Sequence, residues 1–341
     1  MKAPTYSGRS RVAQVMTPTL TVLRGQPRQA RTFPEVYHPR AVGYASSERR
    51  SHSETRREVA MDSTTEVQVV KGDRGKLVRS GDLVLNVRTG GSAAGTRLLL
   101  IMGLGGHMGM WQPLEAALHP LGVGTVAYDA PGMGHSTPDR RPRRMSGLAR
   151  IVAGLLDELG LSQVDVLGVS FGGGVAQQLA HQAPDRVRRL VLCATSPGMV
   201  SLPGSPRALV ALATPRRYVD REYYHRIAPS VFGGASRNPT PRSAESEAIR
   251  FGSAPSAVSY AQQLFAGMGW TSFHWLHTLP QRTLVIAGDD DPIMPLANGR
   301  LLAARIPDSR LHVVRGGGHL FLAEHSDAVA PVIADFLADP E

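Results

Sequence analysis

Val164-Asp165-Val166-Leu167-Gly168-Val169-Ser170-Phe171-Gly172-Gly173-Gly174 decides the fold. A β-rich run, Val164 to Val169, leads into a G-x-S-x-G pentapeptide, and a helical stretch, Gly173 to His181, follows. A serine in that strand–turn–helix context sits on a turn sharp enough to strain its backbone. Side chains two residues to either side would collide with it or with a neighbouring strand, which suits Gly168 and Gly172. The serine Oγ then stands above a sheet at a helix N-terminus, where amide N–H groups face developing negative charge. The bland reading, an ordinary Gly-rich turn, stays open on these residues alone.

Outward from this stretch, short apolar runs alternate with helical ones. Leu98–Met102 is continuously apolar, as a strand buried on both faces requires, and 123–128, 190–194 and 283–287 repeat the signature. Leu311–Val314 is a weaker version, and Val67–Val70 with Leu83–Val87 reads as an opening hairpin with Gly72, Gly75 and Gly81 at turns. The helical stretches are Trp111–His119, Met145–Leu159, Gly173–His181, Leu296–Ile306 and His325–Leu337. This alternation predicts an α/β fold: a mostly parallel, eight-stranded sheet with helices on both faces. Residues 196–279 break the rhythm, with no strong strand and many Pro, Gly and aromatic residues. They are too long for a simple loop and read as an inserted helical cap. The core then comprises 61–195 and 280–341. Phe265, Trp270 and Trp275 are the cap residues expected to line a channel for an apolar acyl chain, while most cap aromatics serve its own core.

Composition narrows the function classes. The chain has 341 residues, 42% of them hydrophobic, which excludes a wholly disordered protein. No apolar stretch approaches the length of a membrane span. A single cysteine, Cys193, excludes internal disulfides and Cys-based zinc sites, and its place at the end of a strand reads as core packing. The net charge of +10 suggests nucleic acid, but residues 1–60 carry most of it, with 11 Lys plus Arg against 4 Asp plus Glu. Nearly all of the basic residues are Arg, consistent with GC-rich coding, and no nucleic-acid-binding motif appears. Segment 1–60 lacks periodicity and large apolar residues and is expected to be a disordered basic tail. A start at Met61 is the alternative, and its Arg- and Ser-rich composition also fits an organelle transit peptide.

A serine nucleophile needs a base and a carboxylate. His319 follows the run Leu311–Val314 within Arg315-Gly316-Gly317-Gly318-His319, a Gly-rich turn beyond a strand end, where sites form in open α/β sheets. Asp291 follows Thr283–Ala287 in Gly288-Asp289-Asp290-Asp291-Pro292 and would fix the imidazole tautomer. Each has a plainer alternative: a surface histidine, a solvated acidic turn. A cation site in the acidic run lacks other spaced oxygen ligands, so no metal is expected. The order Ser170, Asp291, His319 is that of α/β-hydrolases. The oxyanion donors are expected to be the backbone N–H of Phe171 and of Leu104, in the loop Met102–Gly106. His107 in that loop needs no role beyond loop polarity.

These residues bring a family resemblance. Residues 66–338 resemble the α/β-hydrolase superfamily, including Asp129-Ala130-Pro131-Gly132-Met133-Gly134-His135-Ser136. More specifically the chain resembles the intracellular medium-chain-length polyhydroxyalkanoate depolymerases. The carrying stretches are Gly168–Gly173, Thr214–Tyr218, Arg226–Pro229, Val231–Gly234, Gln263–Ser272, Ala287–Pro295 and Gly318–Leu322. Phe171 stands where that family's elbow more often has Trp, and His107 and Met108 also depart from the expected loop. The resemblance implies hydrolysis of a storage polyester by Ser170, Asp291 and His319 under a lid, without cofactor. It implies a cytoplasmic location and a storage-granule surface as partner. Alternatives on the same scaffold are a small-molecule carboxylesterase or lipase-like enzyme, a C–C bond hydrolase or a perhydrolase. Ser170 disfavours an Asp-nucleophile dehalogenase or epoxide hydrolase. A ligand-binding module without catalysis is the rival from another class.

Overall fold

A computed structural model describes residues 75–340. The expected tail 1–60, the run Val67–Val70 and Gly72 lie outside the described residues. The strands are β1 (Lys76–Ser80), β2 (Leu83–Gly90), β3 (Leu98–Ile101), β4 (Thr125–Tyr128), β5 (Val164–Val169), β6 (Val187–Cys193), β7 (Arg282–Gly288) and β8 (Ser309–Val314). They form one eight-stranded sheet in the order β1-β2-β4-β3-β5-β6-β7-β8. The pairs β1/β2 and β2/β4 are antiparallel and the rest are parallel.

The opening hairpin differs from expectation. The strand paired with β2 is Lys76–Ser80, turning at Gly81 with φ 61°. Gly75 is not at the turn: it runs against the β2 backbone, where a Cβ would lie 2.1 Å from Val87 O. Alternating polar and apolar residues in β1 explain the miss. This edge strand buries only one face, with Val78 inside and Leu77 outside.

The central runs are apolar throughout because both faces are covered. Leu99 and Ile101 pack with Val166 and Leu192 beneath α2 (Met145–Glu158) and α3 (Phe171–Gln182). Leu98 and Leu100 face the other way, with Leu167, Val191 and Ile286. That face is covered by α1 (Gln112–Leu118), α9 (Phe321–Glu324) and α10 (Ser326–Ala338). Between β7 and β8 lies α8 (Leu296–Arg305), whose Leu302 joins the first face. Cys193 is fully buried, and burial pushes its thiol pKa up, so it is an inert core residue.

Between β6 and β7 the chain builds α4 (Pro206–Leu212), α5 (Arg221–Val231), α6 (Pro241–Arg250) and α7 (Ala257–Gly267). Helices this short are marginal alone. Each begins on a side chain that accepts from a first-turn amide: Ser205, Asp220, Thr240 and Ser256. Tyr224, Val231, Phe232 and Ala208 form a small separate core that also holds Ile293 from the loop after β7. Among the described residues no helix is long and apolar enough to cross a membrane.

The turn after β5 leaves no room for a side chain at Gly172. A Cβ on Gly172 would lie 2.1 Å from Ile101 O and 2.5 Å from Met102 O, both backbone atoms that cannot yield. Gly160 has φ 66° but open space around its Cβ position. Gly160→Ala is therefore expected to cost only the left-handed strain, about 1 kcal/mol, and Gly172→Ala more than about 3 kcal/mol. Denaturant unfolding of the two variants checks the order.

Candidate active site

Ser170 joins β5 to α3 with φ 54° and ψ −121°, a conformation that costs a non-glycine residue of the order of 1–3 kcal/mol. Neighbours hold the strain. The Ser170 N–H donates to Cys193 O at 2.9 Å, and Ser170 O accepts from Thr195 Oγ1 at 2.7 Å. The glycines are needed as expected: a Cβ on Gly168 would lie 2.4 Å from Gly172 O, and one on Gly173 2.4 Å from Thr195 Oγ1. The serine side chain is thereby left free of the turn's own bonding.

The structure brings Ser170, His319 and Asp291 together from three loops. His319 Nε2 lies 3.0 Å from Ser170 Oγ, and His319 Nδ1 lies 2.8 Å from Asp291 Oδ2. Asp291 Oδ1 accepts from the amides of Ile293 and Met294 at 2.8 and 2.9 Å, so the carboxylate cannot rotate away. The three consecutive acids separate by partner. Asp289 caps the β8 turn through the Gly316 amide at 2.7 Å. Asp290 accepts from the Gly234 amide and from the Arg237 guanidinium. Only Asp291 turns inward to the histidine, its side chain fully buried. With Nδ1 donating to the carboxylate, Nε2 is free to accept the serine proton, the arrangement that general-base activation of a hydroxyl needs.

The oxyanion candidates lie beside the serine. Phe171 is the first residue of α3, so its N–H has no partner within the helix. Gly103, which precedes Leu104, packs against Ser170: a Cβ there would be 3.3 Å from Ser170 Cβ. Leu104 and Ser170 both border one cavity. His107 is held elsewhere. Its Nε2 sits 3.0 Å from Ile249 O, and burial, the largest influence, lowers its pKa. Asp129, from the stretch after β4, accepts from Asn86 Nδ2, the Met108 amide and the His135 amide, and so organises loops. Among the described residues no group of three His, Cys, Asp or Glu is placed to hold a metal ion.

Above Ser170 and His319 lies a mainly apolar cavity of about 530 Å³, within the usual size for a small-molecule site. Of the three cap aromatics expected to border substrate, Trp270 lines it, steadied by Nε1 donating to Gln178 Oε1 at 2.7 Å. Phe265 and Trp275 do not. The Arg144 guanidinium covers the Phe265 ring at 4.2 Å, and Trp275 stacks on His181 at 4.2 Å and 11°. Both rings bind the cap to the core. The walls also include Tyr218 and Phe232, cap aromatics that the sequence did not assign to the channel individually, and Met294 and Leu320, which it did not assign at all. All four stand in the stretches that carried the family resemblance, the one signal that could have found them. Glu324 also borders the cavity. Burial pushes its carboxyl above the usual carboxylate range, opposed mainly by the Ser236 hydroxyl.

Cavity and non-cavity aromatics separate in a test. Trp270→Ala removes a wall and is expected to raise KM for a p-nitrophenyl alkanoate about tenfold, the worth of one buried aromatic contact. Phe265→Ala is expected to leave KM within about twofold while lowering thermal stability. Initial-rate kinetics with a melting curve for each variant check both.

Comparison with known proteins agrees with this architecture. The alpha/beta hydrolase fold family matches residues 96–326. A poly(3-hydroxyalkanoate) depolymerase of Ectopseudomonas oleovorans is 47% identical over 71% of this chain and 84% of its own length. A 2-hydroxymuconate semialdehyde hydrolase of Pseudomonas sp. (strain CF600) is 31% identical over 73% of this chain and 89% of its own. Among solved structures, a hydrolase from Pseudomonas aeruginosa PA01 superposes with a TM-score of 0.65 at 26% identity, covering 79% of this chain and 99% of that one. On its sheet order, its Ser170 turn and these matches, the chain belongs to the α/β-hydrolase family.

Proposed function

We propose that the protein is a serine hydrolase of carboxylic esters whose substrate is a medium-chain-length poly(3-hydroxyalkanoate), degraded inside the cell at the surface of storage granules. The single observation supporting the chemistry is the relay of 3.0 and 2.8 Å from Ser170 Oγ through His319 to Asp291, at the floor of an apolar cavity. The support for the polymer is the 47% identity to the E. oleovorans depolymerase. No cofactor is required.

In this reading Ser170 Oγ attacks the ester carbonyl carbon as His319 Nε2 takes its proton. Asp291 holds the imidazole in the tautomer with Nδ1 protonated and stabilises the imidazolium. The carbonyl oxygen becomes an oxyanion received by the amides of Phe171 and Leu104. Collapse expels the alcohol end of the polyester, to which His319 returns the proton. Water then enters. His319 removes its proton, the hydroxide attacks the acyl-enzyme, and a hydroxyalkanoic acid leaves as Ser170 recovers its hydrogen. Residues 196–279 act as the lid, their apolar inner side receiving the alkyl side chains. The match to a 2-hydroxymuconate semialdehyde hydrolase favours C–C bond hydrolysis as the second reading, run by the same three residues.

The test is clearing of suspended polymer. The parent protein is expected to clear long-side-chain polyhydroxyalkanoate and to leave the short-side-chain polymer turbid. Ser170→Ala is expected to clear neither, and Asp291→Asn to lose about 10⁴-fold in kcat on p-nitrophenyl octanoate. Full activity in Ser170→Ala would end the serine reading. Ester cleavage with no clearing of either polymer would end the depolymerase reading alone.

A further inference from the structure

The loop that carries Leu104 is gripped from the cap. The Leu104 carbonyl accepts from Arg217 Nη2 at 3.0 Å and from the Tyr218 hydroxyl at 2.8 Å. The Gly105 N–H donates to Gln263 Oε1 at 2.8 Å. These groups are the two polar ends of one peptide plane, and such a plane is rigid. All of its bonding goes to residues between β6 and β7. The preceding plane is closed locally, with the Gly106 N–H donating to Gly103 O at 3.1 Å. Leu104 Cα is the only pivot between the two planes. With both held, φ and ψ of Leu104 are set, and so is the direction of its N–H.

The grip is built at some expense. Arg217 is 2% exposed and, among the described residues, pairs with no carboxylate. Its other donors go to Thr214 O at 3.3 Å and to the Tyr260 hydroxyl at 2.5 Å, and its guanidinium lies over the rings of Tyr218 and Tyr260. A buried cation paired only with neutral acceptors is costly, and a hydrophobic side chain would anchor a cap more cheaply. What a guanidinium adds is a fixed fork that aims several donors. Tyr260 and Gln263 lie three apart on α7, hence on one face. Gly105, with φ 74°, fits because a Cβ would lie 2.8 Å from both tyrosine rings.

We infer that Arg217, Tyr218 and Gln263 are positioning residues that aim the Leu104 amide at the oxyanion, so that the hole is complete only while the cap is seated. The inference rests on the reading of Ser170 as nucleophile and Leu104 as donor. It makes the cap part of transition-state stabilisation as well as of the substrate channel.

The full chain is tested on p-nitrophenyl octanoate. Octylboronic acid mimics the tetrahedral adduct, and octanoic acid is the ground-state control. Tyr218→Phe and Gln263→Leu each remove one bond to the loop, and Arg217→Lys keeps a charge without the fork. Each is expected to lower kcat about tenfold with KM within about twofold, and the Tyr218/Gln263 double variant about a hundredfold. The boronate inhibition constant should rise by the same factor while that of octanoate stays level, and melting temperatures should stay close to the parent's. Unchanged kcat in the double variant, or equal weakening of boronate and octanoate, overturns the inference. Ser170→Ala is run beside them: if it turns over at the parent's rate, the nucleophile reading fails instead.

Discussion

The positive-φ backbone at Ser170 is the constraint on which the rest of the molecule depends. It is tolerable only because β3, β5 and β6 lie side by side, so that Gly172 slides against Ile101 O and the Ser170 amide reaches Cys193 O. That neighbourhood in turn requires strands buried on both faces, hence the unbroken apolar runs of the central sheet. The same turn starts α3 and so puts the Phe171 amide beside the serine Oγ. One local strain, held by the whole sheet, sets the positions of both the Ser170 Oγ and the Phe171 amide.

The segment between β6 and β7 meets the loops of Leu104, Asp291 and His319. Its Phe232 carbonyl accepts from the His319 amide at 2.7 Å, and its Gly234 amide donates to Asp290, next to Asp291, at 2.8 Å. Its Arg217, Tyr218 and Gln263 hold the loop of Leu104. Close packing allows no slack at these contacts: a Cβ on Gly318 would lie 2.3 Å from Phe232 O. The segment that encloses the apolar cavity thus also ties down the loops beneath it. The helices between β6 and β7 are thus joined to these loops by main-chain and side-chain hydrogen bonds alike.

The central strands, the helices flanking them and the turns that bring Ser170, Asp291 and His319 together were legible in the sequence because each leaves a local mark. Unbroken apolar runs mark doubly covered strands, and glycines beyond strand ends mark turns that expose a side chain. The β1 edge was not legible, since a strand buried on one face alternates and Lys76-Leu77-Val78-Arg79-Ser80 hides among polar neighbours. β6 begins three residues before its apolar run: Arg189 is buried, bonded to the carbonyls of Phe336 and Asp339, and the half-buried Arg188 pairs with Asp165. The roles of the cap aromatics could not be read either. Phe265, Trp270 and Trp275 are chemically alike, and which one faces the cavity is set by packing against Arg144, Gln178 and His181, far away in sequence. The grip on Leu104 goes from cap side chains to main-chain atoms more than a hundred residues away, and main-chain atoms carry no mark in a sequence.

The central claim is that Ser170 is a nucleophile activated by His319. A fluorophosphonate consumes only a serine so activated, and peptide mass mapping locates the adduct. The expected result is one adduct, on the peptide containing Ser170, formed by the parent and lost in folded His319→Ala. Adduct on another residue, or labelling of Ser170 at an unchanged rate without His319, would contradict it.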